Sequence, residues 1–299
     1  MNRPQRHRVT DKIKVSLCLC DSVAVLLLCV LRVSVASASP LVHAGKLDIL
    51  HFKSRALGAE RTVRVWLPPK FSKRATYSVL YLNDGQNLFG DGDPESGGGG
   101  WHVDESAARL IEDQRVVPLI VVGIDNGGER ARSIDYLPIH DPSGEDADPP
   151  GGADRYLTFM IDELMPFIDR KYRTLHGPEH TGFGGSSYGA VSALYAALSR
   201  PGVFGRVLLE SPSVAVGDGM LLERARPATV WPQRIVMGMG TSEGRGGRGA
   251  TAFLTLVDIL HAAGLGDDRL KAVVQDGGRH NEESWAARFP DALAFLFAR

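Results

Sequence analysis

Gly185-Ser186-Ser187-Tyr188-Gly189 fits the pattern G-x-S-x-G. That pattern sets a serine on a tight strand-to-helix turn, with its hydroxyl exposed above a parallel sheet. A Cβ at either glycine would collide with neighbouring backbone in so sharp a turn. A serine hydroxyl is a weak nucleophile at neutral pH. It needs a histidine to take its proton, and a carboxylate to hold that histidine's tautomer and stabilise its charged form. The chain has nine histidines. His280 follows the last strand-like run through Asp276-Gly277-Gly278-Arg279, and it comes last, as the order Ser…Asp/Glu…His requires. His180 opens the strand before the serine and so lies at its wrong end. Two acids follow strands and compete for the third role: Glu243, in Gly240-Thr241-Ser242-Glu243-Gly244, and Glu210, at the end of the preceding strand. Asp276 stands only four residues before His280, too tethered to meet the ring in line. An oxyanion needs two backbone N–H donors. The amide of Tyr188, directly after the serine, is one. The amide of Gln86 is the other, in Asp84-Gly85-Gln86 after an early buried strand.

These residues need a parallel sheet to bring them to one edge, because in such sheets ligands sit at the carboxyl ends of the strands. The chain supplies one. Leu47–Phe52 reads as a first strand, and Arg61–Leu67 alternates like an outer antiparallel strand. Tyr77–Leu82 and Val117–Ile124 are near-continuous apolar runs, the mark of strands buried on both faces. Further strands are expected at Glu179–Phe183, Arg206–Glu210, Ile235–Gly240 and Leu270–Gln275. Helices are expected after Asp104 (as a cap), over Tyr156–Ile168, Val191–Ser199 and Thr251–Ala263, and over Glu283–Phe297. A long loop is expected from Asp125 to about Asp154, acidic over 139–154 through Asp141, Glu145, Asp146 and Asp148. Strands alternating with helices imply an α/β class with helices on both faces of a mostly parallel sheet.

Composition fits a globular protein, 43% hydrophobic and 23% charged, with a formal net charge of −1. No nucleic-acid partner is indicated by that balance. The first forty residues differ. Arg3, Arg6, Arg8, Lys12 and Lys14 precede an apolar run over Val23–Leu31 and an Ala36-Ser37-Ala38 site. This reads as a secretory signal peptide over residues 1–38, followed by one domain over 39–299. The expected location is secreted or periplasmic, without stable membrane insertion after cleavage. The alternative is an uncleaved membrane anchor, although the run is short for a span. Cys18, Cys20 and Cys29 all lie in this leader, so the mature chain would hold no disulfide and no thiolate site. The leader carries six basic and two acidic residues, so its removal takes the net charge from −1 to −5. No metal or other cofactor is expected: H-E-x-x-H is absent, and the Gly182 and Gly238 runs lack the third glycine of a dinucleotide turn.

The chain also resembles the esterase D-like family of α/β-hydrolases, which includes enterochelin (siderophore), feruloyl and acetylxylan esterases and mycolyltransferases. The resemblance runs from about Arg61 onward. It rests on Tyr81–Phe89, Pro118–Ile124, Glu163–Ile168, Tyr172-Arg173-Thr174, Gly185–Gly189, Phe204-Gly205, Ser211-Pro212-Ser213, Gly240–Glu243 and His280–Trp285, in that order. It implies an α/β-hydrolase fold with Ser187 as nucleophile, Glu243 as acid, His280 as base, and Gln86 and Tyr188 as oxyanion donors. Trp101, Arg132 and Tyr136 are expected at the substrate. The implied activity is hydrolysis of a small-molecule or glycan ester through an acyl-enzyme. Acyl transfer to a sugar or cell-wall hydroxyl and ferric-siderophore hydrolysis are alternatives, as is a silent binding protein on the same fold. The chain departs from the family at Tyr188-Gly189-Ala190, at Asp135 and after Ser211, positions that bear on the substrate pockets.

Overall fold

Short apolar runs between polar turns dictate short buried strands, and six of them lie parallel: β3 (Ser78–Asn83), β4 (Leu119–Ile124), β5 (Thr181–Ser186), β6 (Arg206–Glu210), β7 (Arg234–Gly240) and β8 (Leu270–Gln275). Two longer strands, β1 (Lys46–Ser54) and β2 (Ala59–Leu67), form an antiparallel hairpin, and β2 pairs antiparallel with β4. The sheet order is β1-β2-β4-β3-β5-β6-β7-β8. The order reverses around β3, where a parallel α/β sheet opens a crevice for a ligand. This computed structural model describes residues 45–92, 99–140, 151–243 and 247–299, all within one compact unit, Leu41–Arg299.

Alternation along each buried strand feeds two cores. From β3 and β4, Val79, Tyr81, Ile120 and Val122 enter one layer, and Leu80, Leu82, Leu119 and Val121 the other. The second layer is closed by α1 (Val103–Glu112) and α8 (Glu282–Leu296), with Trp101 against Trp285 at 5.6 Å between ring centres. The first is covered by α2 (Glu129–Tyr136), by α3 (Ala153–Thr158), which continues through a wide π turn at Phe159–Leu164 into α4 (Met165–Tyr172), and by α5 (Tyr188–Ser199), α6 (Val216–Ala225) and α7 (Arg248–Ala262).

Two local expectations change, and one helix appears that was not expected. Asp104 is not the cap of α1: His102 holds that position at φ 50°, and Asp104 lies in the first turn, accepting from the Gly90 N–H at 3.4 Å. There its charge still favours the positive end of the helix. The stretch after Asp125 is not all loop, because it contains α2, which a buried ion pair, Arg61 to Asp135 at 2.6 Å, ties to β2. α6 also forms, despite positive φ at Gly217, Asp218 and Gly219. The leader over 1–38 and the acidic residues Asp141, Glu145, Asp146 and Asp148 lie outside the described residues.

Candidate active site

The turn after β5 is the sharpest point of the chain near the crevice. Ser187 sits there at φ 55°, ψ −121°, a conformation that is costly for a residue with a side chain and that clusters at functional sites. Neighbouring bonds hold it: its N–H donates to the Glu210 carbonyl at 2.9 Å, and its carbonyl accepts from Val191 at 3.2 Å. A Cβ on Gly185 would meet the Cβ of Asn83 at 3.0 Å, so the glycine allows the end of β3 to approach. Asn83 then donates from Nδ2 to the Gly189 carbonyl at 2.9 Å and accepts from the Tyr156 hydroxyl at 2.7 Å. Tyr188 opens α5, and Gln86 lies in the short 3-10 turn Gly85–Asn87 that follows β3. Both amides therefore belong to first turns of helical segments, whose N–H groups have no carbonyl partner within the helix. The Gln86 side chain accepts from the Asn126 N–H at 3.3 Å.

Glu243 and His280, the candidate acid and base, meet. His280 Nδ1 is 3.1 Å from Glu243 Oε2. With Glu243 ionised, Nδ1 carries the proton and Nε2 is left as the acceptor. His280 stands directly before Asn281, which caps α8 by accepting from the Ser284 N–H at 3.1 Å, while Ser284 Oγ accepts from the Arg279 N–H at 2.8 Å. Trp285 adds an edge contact to the imidazole at 5.3 Å. The ring is thus held from below, yet its side chain keeps 41% exposure.

Burial pushes the Glu243 carboxyl up. Hydrogen bonds from His280, from Ser211 Oγ at 2.7 Å and from the Gly240 N–H at 2.6 Å outweigh that and hold it below the ordinary carboxylate range. A lowered pKa contributes stability that is present above the unfolded value and lost as pH falls through the folded one. Glu243 therefore stays ionised to lower pH than an ordinary carboxylate.

Glu210, the rival acid, points elsewhere. Its side chain is buried against Arg288, Oε2 to Nε at 2.8 Å. Burial raises its carboxyl to about 7, with Arg288 pulling the other way. The linkage sign is opposite to that of Glu243: stability from this site is complete below the unfolded pKa and is lost as pH rises toward 7. Thermal melts between pH 5 and 8 are expected to show this decline in the native protein and a flatter curve in Glu210→Gln. Asp276 accepts from Thr241 Oγ1 at 3.3 Å and does not meet the imidazole.

Ser187 Oγ is 3.3 Å from Ser213 Oγ and is not within hydrogen-bond reach of His280. Catalytic hydrogen bonds are often long without substrate and tighten in the reacting complex. Of the residues expected at the substrate, Trp101 is 2% exposed and packs beneath Trp285, and Tyr136 is 1% exposed with its hydroxyl toward Asp84. Neither offers a face to a ligand; both pack beneath the candidate site. Arg132 keeps 22% of its side chain exposed but grips Asp84 with two bonds of 2.8 Å, behind the Gln86 turn. Its guanidinium also lies over the Tyr188 ring, 5.8 Å from the centre.

Sequence reasoning quoted Ser211, Ser213 and Trp285 without giving them roles, and passed over Arg288. Their signal was weak. An arginine three residues after Trp285 falls on the same helical face, a face otherwise apolar through Phe289, Ala292 and Leu293.

The family described as "Putative esterase" matches residues 54–296. Among curated proteins, the chain is 24% identical over 250 residues to an uncharacterized protein of Bacillus subtilis, YbbA, covering 80% of this chain and 93% of that one. It is 35% identical over 103 residues to a siderophore enterobactin esterase of Emericella nidulans, covering 32% of this chain and only 34% of that protein. Among solved structures, the enterobactin esterase FES from Shigella flexneri matches with a TM-score of 0.67 at 24% identity, over 84% of this chain and 58% of that one. A ferulic acid esterase matches with a TM-score of 0.63 at 20% identity, over 84% and 97%. These likenesses show the α/β-hydrolase fold. With residues 54–296 matched, the chain belongs to this esterase family.

Proposed function

We propose that the protein is a serine esterase working through Ser187, His280 and Glu243. The observation that carries the reading is the Glu243–His280 pair, 3.1 Å apart at the strand-end edge where Ser187 occupies its strained turn. His280 Nε2 takes the Ser187 proton as Oγ attacks the ester carbonyl. The oxyanion is received by the amides of Gln86 and Tyr188. The imidazolium, stabilised by Glu243, returns the proton to the departing alkoxide, leaving an acyl-serine. Water then adds to the acyl carbon, His280 accepts its proton, and the acid leaves as Ser187 is restored.

The substrate is a small-molecule or glycan ester. Two of the named relatives are enterobactin esterases and one is a ferulic acid esterase, and a panel holding siderophore and feruloyl esters beside an acyl sugar would rank them. A net charge of −5 after loss of residues 1–38 works against an anionic ferric siderophore. Of the three residues expected at the substrate, Arg132 alone keeps enough surface to touch it. Residues 1–38 are proposed to direct export, which amino-terminal sequencing of secreted protein would test. Among the described residues no helix is long and apolar enough to cross a membrane.

The purified protein is expected to hydrolyse a short-chain nitrophenyl ester and to be labelled at Ser187 by an organophosphonate. No labelling at that residue would favour a silent binding protein, and an ester product formed from an added alcohol would favour acyl transfer. Glu243→Gln, which loses the charge that stabilises the imidazolium, is expected to lower kcat by roughly 10²–10⁴-fold with KM little changed.

A further inference from the structure

Arg288 lies one and a half turns into α8, with its guanidinium only 6% exposed, between the ends of three strands. Nε donates to Glu210 Oε2 at the end of β6 at 2.8 Å, and Nη1 donates to Gln275 Oε1 at the end of β8 at 2.6 Å. Nη2 reaches Ser211 Oγ at 3.3 Å and stands 3.9 Å from Glu243 Oε1, after β7. The sheet makes room for this group at Gly238, where a Cβ would lie 2.5 Å from Glu210 Oε2 and 2.7 Å from Arg288 Nε.

The bonds around Ser211 have a direction. Trp285 Nε1 donates to Ser211 Oγ at 2.8 Å, and Arg288 Nη2 donates to the same oxygen. With both lone pairs occupied, the single hydroxyl proton must go to Glu243 Oε1, 2.7 Å away. Oε1 also takes the Gly240 N–H. One oxygen of the carboxylate is therefore fully bound to the scaffold, and the other is left for His280. Ser211 is itself held at φ 44°, a left-handed conformation rare for a residue with a side chain.

We propose, resting on the esterase reading above, that Arg288 is a positioning residue for the Glu243–His280 pair: anchored by Glu210 and Gln275, it fixes Ser211 and the far oxygen of Glu243, so that the near oxygen faces His280 Nδ1. It also places a positive charge behind the carboxylate, 3.9 Å from Oε1. The other charged groups around the guanidinium are Glu210, Lys271 from β8 and Asp291 from α8 itself, the last two lining the same small cavity of about 200 Å³.

The test compares Glu210→Gln, which keeps the guanidinium, with Glu210→Gln/Arg288→Gln, which removes it without stranding a buried carboxylate, and with Arg288→Lys, which keeps the charge but not the fork. All three are checked for folding by thermal melts, then assayed for nitrophenyl ester hydrolysis across pH. The double variant is expected to lose about tenfold in kcat relative to Glu210→Gln, with KM within about twofold. The acidic limb of its kcat/KM profile should move up by roughly 0.5–1 pH unit, because a positive charge close to the pair has been removed. Arg288→Lys should hold the limb near the native position while still losing several-fold in kcat, since a point charge cannot make the three directed bonds. A double variant with the kcat and profile of Glu210→Gln, or an Arg288→Lys variant with native kcat, would reduce Arg288 to a core strut and overturn the inference, leaving the mechanism standing. Native activity in Ser187→Ala would overturn both.

Discussion

Ser187→Ala is expected to lower kcat for a nitrophenyl ester by about 10⁴–10⁶-fold, leaving only the slow reaction that the oxyanion donors and binding can support. KM should hardly move, because the lost atom contributes to the reaction and little to ground-state binding. Stability is expected to rise slightly or stay the same. Alanine fits the same strained turn no worse than serine, and the hydroxyl's one partner, Ser213, is itself partly open to water. Stopped-flow assays with a chromogenic ester would add a second signature: a burst of alcohol from the native protein if deacylation is slow, and none from the variant. Activity within tenfold of the native protein would remove Ser187 from the mechanism.

The second large effect is expected from one methyl group away from the reacting atoms. Gly240 ends β7, three residues before Glu243. A Cβ there would lie 2.1 Å from the carbonyl carbon and oxygen of Gly278, two residues before His280. The obstacle is backbone, and that backbone is already committed, since the Gly278 carbonyl accepts from the Ser242 N–H at 2.9 Å. Gly240→Ala must therefore drive apart the two loops that carry Glu243 and His280. Overpacking of this kind costs about 1–3 kcal/mol, and a shift of about 1 Å in a catalytic pair costs roughly 10²-fold in rate. A denaturant melt and a kcat measurement on the same preparation would check both. A variant with native activity would show that the loops have room to spare.

The serine turn and the histidine loop were legible in the sequence because each candidate is marked by chain order and by a turn that only certain residues allow. The acid was less so. Glu210 and Glu243 both follow strands, and spacing alone does not rank them. What separates them is Arg288, nearly eighty residues beyond Glu210, which takes the Glu210 carboxylate into a buried ion pair and leaves Glu243 to the imidazole. No local pattern announces such a contact. The same holds for α2. Its residues Glu129–Tyr136 are mostly polar, and only Asp135 and Tyr136 are buried, so the apolar period that reveals a helix is missing. The strand β5 was poorly marked for a related reason: Gly184 carries no side chain because Leu208 from β6 fills that place, with an added Cβ falling 2.6 Å from the Leu208 Cβ. Trp101 and Tyr136 show the remaining limit. A sequence shows that an aromatic residue is near the right loop, but not whether it faces the ligand or the core.

The layer closed by α1 and α8 has a consequence for how the chain reaches its native state. Trp101 meets Trp285 across more than 180 residues of sequence, and α8 supplies Trp285, Phe289 and Leu293 to the apolar face made by Leu80, Leu82 and Val121. Contacts so distant in sequence carry a large loop-closure entropy, which slows their formation. Until α8 docks, the sheet presents one greasy face to water, and Ser211, Glu243 and His280 lack their shared support. Refolding should therefore pass through a species that binds a hydrophobic dye and has no esterase activity, with the catalytic signal returning in the same phase in which Trp285 fluorescence changes.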